Sequence, residues 1–461
     1  MPVPSRRVAL VPLAAALAVA AALAVPPASE AQGRSVPTTR DAEIEALVSD
    51  MARPLLRVAG LHADDIEIIL VNDRAFNAFV LDRRIFLNVG VFLHSEGPEE
   101  VAAILAHEIG HIAGGHQDRL RDQLSAAKTQ SILAGLVGIG AAIAGAASDN
   151  GTLARAGQGI AMGGNEAAKR NFLAYKRGEE AAADRSAIRY LELTGQTPVG
   201  LQRTFRRFQK QRQFATAIPN PYLQSHPMPR DRLAAIDALV AASPNRDKRP
   251  SAELRRRFDM ARAKVAAYLG GGAAVRTTRG RDETPGDTRD KGARDYGLAI
   301  GDFLKGDAEA AVSKIDALVA ERPKDPFVHE MRGEILMRTG RPQDAIGSYR
   351  RALALNGESG IMRAQIGAAL MATNEPERMA DAIAELRRAV VADPSYARGH
   401  LDLARALQRI GDEPGAHLAT AEGLLAQGQG KRAKVFARRA QDRMAKDTAS
   451  WRRAQDIIDA S

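Results

Sequence analysis

His107-Glu108-Ile109-Gly110-His111 is the stretch that decides how this chain is read. It has the form H-E-x-x-H, inside a run where Val101, Ile104, Leu105, Ile109 and Ile112 recur with helical period. Gly97-Pro98-Glu99-Glu100 reads as the start of that helix, with proline in the first turn and acids at the positive end of the dipole. Gly114-Gly115 reads as its stop. Residues four apart on a helix differ by about 40° around the axis, so both imidazoles leave the same face. That spacing lets two histidines grip one zinc ion, with the glutamate between them as general base on a water. The pattern implies a metal-dependent hydrolase, a peptidase first of all.

A catalytic zinc of this kind needs a third protein ligand and one open position. The candidates lie in Lys176-Arg177-Gly178-Glu179-Glu180-Ala181-Ala182-Ala183-Asp184, an alanine-rich stretch that reads as helix with Ile188, Tyr190 and Leu191 after it. Glu180 and Asp184 share a face, which suits Glu180 as ligand and Asp184 as acceptor of a hydrogen bond from a ligand imidazole. By composition alone Glu179 competes for the ligand position. His116, beyond two glycines, reads as a helix-end residue rather than a ligand, and His226, before Pro227, reads as a surface turn residue.

At 461 residues the chain exceeds one ordinary core. Its formal net charge is +10, but both signs are mixed and aromatics are only 4%, which argues against nucleic-acid binding. The absence of cysteine excludes disulfides, a thiolate nucleophile, a cysteine zinc site and a lipoprotein anchor. Arg6-Arg7, the apolar run Val8 to Val25, the break at Pro26-Pro27 and the small residues of Ser29-Glu30-Ala31 read as an export signal. The expectation is a signal peptide over 1–31, cleaved near Ala31, and a periplasmic mature chain starting at Gln32. Ser131 to Ala147 is apolar and Gly/Ala-rich, at the bottom of the membrane-spanning range. It reads first as a helix of a hairpin near the cleft, second as a peripheral membrane contact and third as a span.

Asp41 to Ala59 reads as an amphipathic helix, and Ile66 to Val71 and Arg84 to Asn88 as strands. A strand just before a zinc helix is suited to bind an extended peptide by edge pairing. Farther on, Ala299, Gly333, Gly367 and Ala404 recur at intervals of 34, 34 and 37 residues. Gly306, Gly340, Asn374 and Gly411 keep phase with them, as do Ala311, Ala345, Ala382 and Ala416. This is the tetratricopeptide (TPR) period, with an insertion near Pro376. A further, degenerate unit is expected around Gly428 to Ala440, and Trp451 in a terminal helix. The expected organisation is a signal peptide at 1–31, a metallopeptidase domain at 32–245, a helical and flexible linker at 246–291 and a TPR domain at 292–461.

His107-Glu108-x-x-His111 followed by Arg177-x-x-Glu180-x-x-x-Asp184 resembles the gluzincin metallopeptidases of the CAAX-prenyl-protease, HtpX and Oma type. Asn77-Ala78-Phe79 with Ile85-Phe86-Leu87-Asn88-Val89-Gly90 is similar to that family's segment ahead of the zinc helix. Ser225-His226-Pro227-Met228-Pro229 with Arg232-Leu233 resembles its downstream element. Lys176 departs from the family pattern, where a serine stands before the arginine. The resemblance spans about residues 41 to 240 and points to the periplasmic, TPR-bearing BepA-like branch.

It implies an α+β zincin-like metallopeptidase domain, mostly helical with a small sheet, followed by an all-α TPR solenoid. It implies one Zn²⁺ per chain on His107, His111 and Glu180, settling the choice against Glu179, with Glu108 catalytic and with Asp184 and Arg177 supporting the ligands. It also implies a catalytic or gating role for His226, which either stabilises an oxyanion or fills the fourth zinc position. The function expected is a zinc metalloendopeptidase of envelope quality control, cleaving misfolded or stalled outer-membrane proteins, with the TPR array binding clients or assembly machinery. The alternative is a chaperone or assembly scaffold whose zinc site is repressed or vestigial.

Overall fold

The computed structural model describes residues 37–123, 125, 173–214, 221–227, 230–277 and 291–460. The expected signal peptide, the apolar stretch 131–147, Met228-Pro229 and the linker residues 278–290 lie outside them. Among the described residues, no helix is long and apolar enough to cross a membrane.

The first helix, Ala42–Val58, is capped by Asp41, whose carboxylate accepts a hydrogen bond from the Ile44 amide. Its stripe of Ile44, Leu47, Val48, Met51 and Leu55 is buried. The strands are β1 (Thr38–Thr39), β2 (Glu67–Val71), β3 (Ala78–Leu81) and β4 (Arg84–Asn88), in the order β1-β2-β4-β3. β2 and β4 run parallel, with Ile68 opposite Ile85, while β3 and β4 form an antiparallel hairpin turning through Asp82 at φ 56°. β4, the strand read from its apolar run, is therefore internal. The edge beside the H-E-x-x-H helix is β3, which has no pattern strong enough to announce it.

The H-E-x-x-H helix, Pro98–Ala113, is buried almost all round, as its run of alanine and isoleucine requires. It shares one core with the first helix, the sheet, and Phe205 and Phe208 of the helix Val199–Phe214. Each fully buried ring of this kind contributes roughly 1.5–3 kcal/mol.

The stretch that reads as a linker carries a long helix, Ala252–Thr277, broken at Gly271 by a non-helical φ of 66°. Phe258, Ala261 and Val265 belong to the peptidase-side core, while Met260, Ala263, Ala266 and Ala267 belong to the core of the first array helices. The helix is thus shared between two cores rather than solvated. Its basic residues hide this in the sequence, because the second buried face is built mostly of alanine.

The array follows as paired helices: Lys291–Lys305 with Ala308–Glu321, Pro326–Arg338 with Pro342–Asn356, Gly360–Ala372 with Met379–Ala392, Ala397–Arg409 with Glu413–Ala426, and Gly430–Gln441 with Ala449–Asp459. The insertion near Pro376 forms a 3₁₀ turn, Pro376–Arg378. Trp451 lies in the last helix, and Ala433, Ala437 and Ala440 are buried before it. The first helix also touches this array, since Ala42 packs with Phe327, Ile361 and Met362. Lys264 on the shared helix reaches Asp41 at 2.7 Å and Glu43 at 3.3 Å, and Tyr296 donates to Glu43 at 2.8 Å. A cavity of about 540 Å³ opens at this junction, lined by Arg40, Tyr268, Glu330, Tyr349, Gln365 and Tyr396 among others.

Candidate metal centre

Gly110 explains how a second helix reaches the motif. A Cβ there would lie 3.1 Å from the Ala183 carbonyl oxygen and 3.3 Å from Ser186 Cβ, so glycine permits the helix over 173–193 to come close. That approach brings Glu180 to the histidines. Its oxygens lie 3.5 Å from His107 Nε2 and 3.7 Å from His111 Nε2, and those two nitrogens are 3.1 Å apart. On the far side Arg207 pairs with the buried Glu100 at 2.5 Å, fastening Val199–Phe214 to the start of the motif helix.

His226 completes the cluster. It follows the short helix Pro221–Ser225 and lies against the Tyr222 ring, with centroids 4.6 Å apart. Its Nδ1 sits 3.1 and 3.2 Å from the Glu180 oxygens and 3.3 Å from His107 Nε2. Its Nε2 sits 3.3 Å from the Ala78 carbonyl oxygen of β3 and 3.5 Å from Glu108. Sequence alone reads this residue as a surface turn; it is buried. Candidate ligand atoms of His107, His111, Glu180 and His226 all lie within 4.8 Å of one another.

The remaining candidates separate. Asp184 Oδ1 is 3.0 Å from His107 Nδ1. Glu179 points away from the cluster, to His116 and Arg119. Arg177 is exposed. The arginine that meets the acids is Arg232, whose guanidinium reaches Asp184 at 2.5 and 2.8 Å and Glu180 at 2.8 Å. In the sequence Arg232 stands only within the downstream element that begins at Ser225, and nothing in its local pattern marks it as the clamp. Gln117 is likewise unannounced. Its amide donates to the Val80 carbonyl and accepts from the Asp82 N–H at 2.8 Å, lying along the open edge of β3 as a neighbouring strand would.

The electrostatics sort the groups into roles. Burial raises the proton affinity of Glu180, but His226, His107 and Arg232 outweigh it and hold the carboxyl far below the usual range. Asp184 is likewise held low by Arg232 against burial. Burial and the neighbouring His107 push His111 well below its ordinary value, leaving a neutral imidazole with a free lone pair. For His107 burial works downward, but the Asp184 and Glu180 carboxylates prevail and raise it to about 9. Glu108 is pushed upward by burial, with His226 and His107 opposing.

Two imidazoles and one ionised carboxylate make the donor set expected of a catalytic zinc site. Glu108 supports that fit: it is fully buried, yet among the described residues neither carboxylate oxygen has a hydrogen-bond partner. An orphaned carboxylate of this kind is costly unless the site has a use for it.

Residues 38–240 match Peptidase family M48, and residues 326–359 match the tetratricopeptide repeat. "Beta-barrel assembly-enhancing protease" of Yersinia pestis is 24% identical over 407 residues, covering 86% of this chain and 78% of that one. The protein of the same name from Escherichia coli (strain K12) is 23% identical over 353 residues, covering 75% of this chain and 69% of its own. The buried histidine–glutamate cluster on an H-E-x-x-H helix and the paired-helix array fit these matches: a peptidase M48 domain followed by tetratricopeptide repeats.

Proposed function

We propose that this metallopeptidase is a periplasmic, zinc-dependent endopeptidase of envelope quality control, acting on misfolded or stalled outer-membrane proteins. The observation that carries the catalytic part is the convergence of His107, His111 and Glu180 beside the orphaned Glu108. The printed names of the relatives, which concern β-barrel assembly, support the choice of client. The signal-like first 31 residues support the compartment.

His107, His111 and Glu180 would hold the ion. When bound, zinc supplies a Lewis acid that polarises a carbonyl and makes water more acidic. Glu108 takes the proton of the attacking water on a carboxylate oxygen, and burial, which raises its proton affinity, favours this step. It then delivers that proton to the leaving amine. Asp184 fixes the Nδ1 side of His107, so Nε2 faces the site. An extended substrate adds along β3, the free edge next to the motif helix. In the state described here Gln117 and His226 hold the β3 carbonyls Val80 and Ala78.

His226 gates the site in this reading. Its nitrogen among the candidate ligand atoms supports a fourth donor, which would close the place a substrate carbonyl needs. The same observation favours a companion role in which the array binds clients while the peptidase rests. The array then supplies polypeptide binding, and the cavity at its junction with the first helix is the surface for it.

The test is Glu108→Gln in the purified mature chain. It is expected to keep its metal and to lose cleavage of casein; a variant that cleaves like the parent removes Glu108 from the mechanism.

A further inference from the structure

We infer that His116 is a positioning residue for the second ligand histidine, relaying the Glu179 carboxylate to His111. This rests on the zinc reading of the site.

The two motif histidines are held differently. His107 has a carboxylate directly behind it, Asp184, 3.0 Å from Nδ1. Among the described residues, His111 has no carboxylate there. Its Nδ1 instead lies 2.8 Å from Nδ1 of His116. His116 Nε2 lies 3.0 Å from Glu179 Oε2, which also receives Arg119 at 2.6 Å. The rings of His111 and His116 are 4.8 Å apart and nearly perpendicular, at 84°.

The direction of the proton chain follows from what each nitrogen can do. Two ring nitrogens at hydrogen-bond distance require one donor and one acceptor. His111 Nε2 faces His107 Nε2 and Glu180, so its lone pair belongs to the metal. Its proton is then on Nδ1 and is donated to His116 Nδ1. That leaves the His116 proton on Nε2, where Glu179 accepts it. Arg119 also donates to Glu179 and orients its carboxylate as the acceptor at the end of the line.

The backbone is arranged for this contact. The motif helix ends at Gly114-Gly115, with Gly115 at φ 63°, and the chain turns into a new helix over 116–123. A Cβ on Gly114 would fall 2.3 Å from His116 Nε2, so only glycine leaves room for the ring to fold back. His116 is 6% exposed, unlike a fraying helix end. Adjacent acids thereby take separate tasks: Glu180 serves the metal, and Glu179 serves the imidazole behind it.

The experiment measures zinc affinity of the mature chain by competition with a chromophoric chelator, for the parent, His116→Phe, His116→Gln and Glu179→Leu. Phenylalanine fills the ring's space but can neither accept from His111 nor donate to Glu179. Glutamine can do both. His116→Phe is expected to bind zinc about 10–100-fold more weakly, with His116→Gln recovering most of the loss. Glu179→Leu, at a partly exposed position, is expected to lose about tenfold and carries the test should His116→Phe not fold. Parental affinity in a folded His116→Phe or in Glu179→Leu overturns the relay, as does a His116→Gln no better than His116→Phe. A parent that binds no zinc instead overturns the zinc reading of the site.

Discussion

Arg232 grips Asp184 at two points, Nε to Oδ2 at 2.5 Å and Nη2 to Oδ1 at 2.8 Å, with both side chains 4% exposed. A bidentate pair this deep holds Asp184 ionised behind His107 and joins the helix over 173–193 to Arg230–Ala242. Breaking such a pair leaves an uncompensated buried charge. Arg232→Met is therefore expected to lower unfolding free energy by about 3–5 kcal/mol. Chemical denaturation of the purified chain measures this. A variant within about 1 kcal/mol of the parent would place the pair in the range of a surface salt bridge and contradict the account.

Lys264 is the corresponding hinge at the other end of the domain. Lys264 is 3% exposed, and its ammonium serves Asp41 and Glu43 together. Lys264→Met strands two acids next to the array and should cost about 3–5 kcal/mol. Hydrogen exchange offers a local readout: amides of Ala42–Val58 should lose protection first. Uniform or unchanged protection would separate Lys264 from the anchoring of that helix.

Glu43 gives this junction a pH dependence. Burial pushes its carboxyl up to about 7 from an ordinary 4.5, against the pull of Lys264 and the Tyr296 hydroxyl. The folded chain thus holds this proton more tightly than the unfolded chain. The contribution is complete below pH 4.5 and is lost as pH rises through about 7. Glu43→Gln, which mimics the neutral form, should reduce the fall in melting temperature between about pH 5 and pH 8 relative to the parent. Parallel curves for the two proteins would show that Glu43 does not titrate in this window.

His226→Ala tests the gate. On the proposed gating role, removing His226 while leaving His107, His111 and Glu180 should retain zinc and raise basal casein cleavage several-fold. A fall in cleavage with zinc retained would reassign His226 to the chemistry itself.

What the sequence makes legible follows from how local each signal is. His107, Glu108 and His111 are adjacent, and their spacing on a helix carries its own geometry. The array is legible because Gly333, Gly367 and their partners repeat in phase. The choice between Glu180 and Glu179 is different. Both lie on one helix, and only the approach allowed by Gly110 decides which one faces the histidines. Arg232, Gln117 and His116 reach residues as far as 63 positions away, the distance from His116 to Glu179, so no local pattern marks them. The double use of Ala252–Thr277 is hidden for a similar reason. Alanine faces look neutral in sequence, and two separate cores claim them only after the chain has folded.

The central claim is that His107, His111 and Glu180 hold a zinc ion for Glu108 to work beside. Elemental analysis of the purified protein tests it most directly, with Glu108→Gln and Glu180→Ala measured in parallel. The account predicts about one zinc per chain in the parent and in Glu108→Gln, and little or none in Glu180→Ala. A parent purified without zinc, or a Glu180→Ala chain that holds as much as the parent, would contradict it.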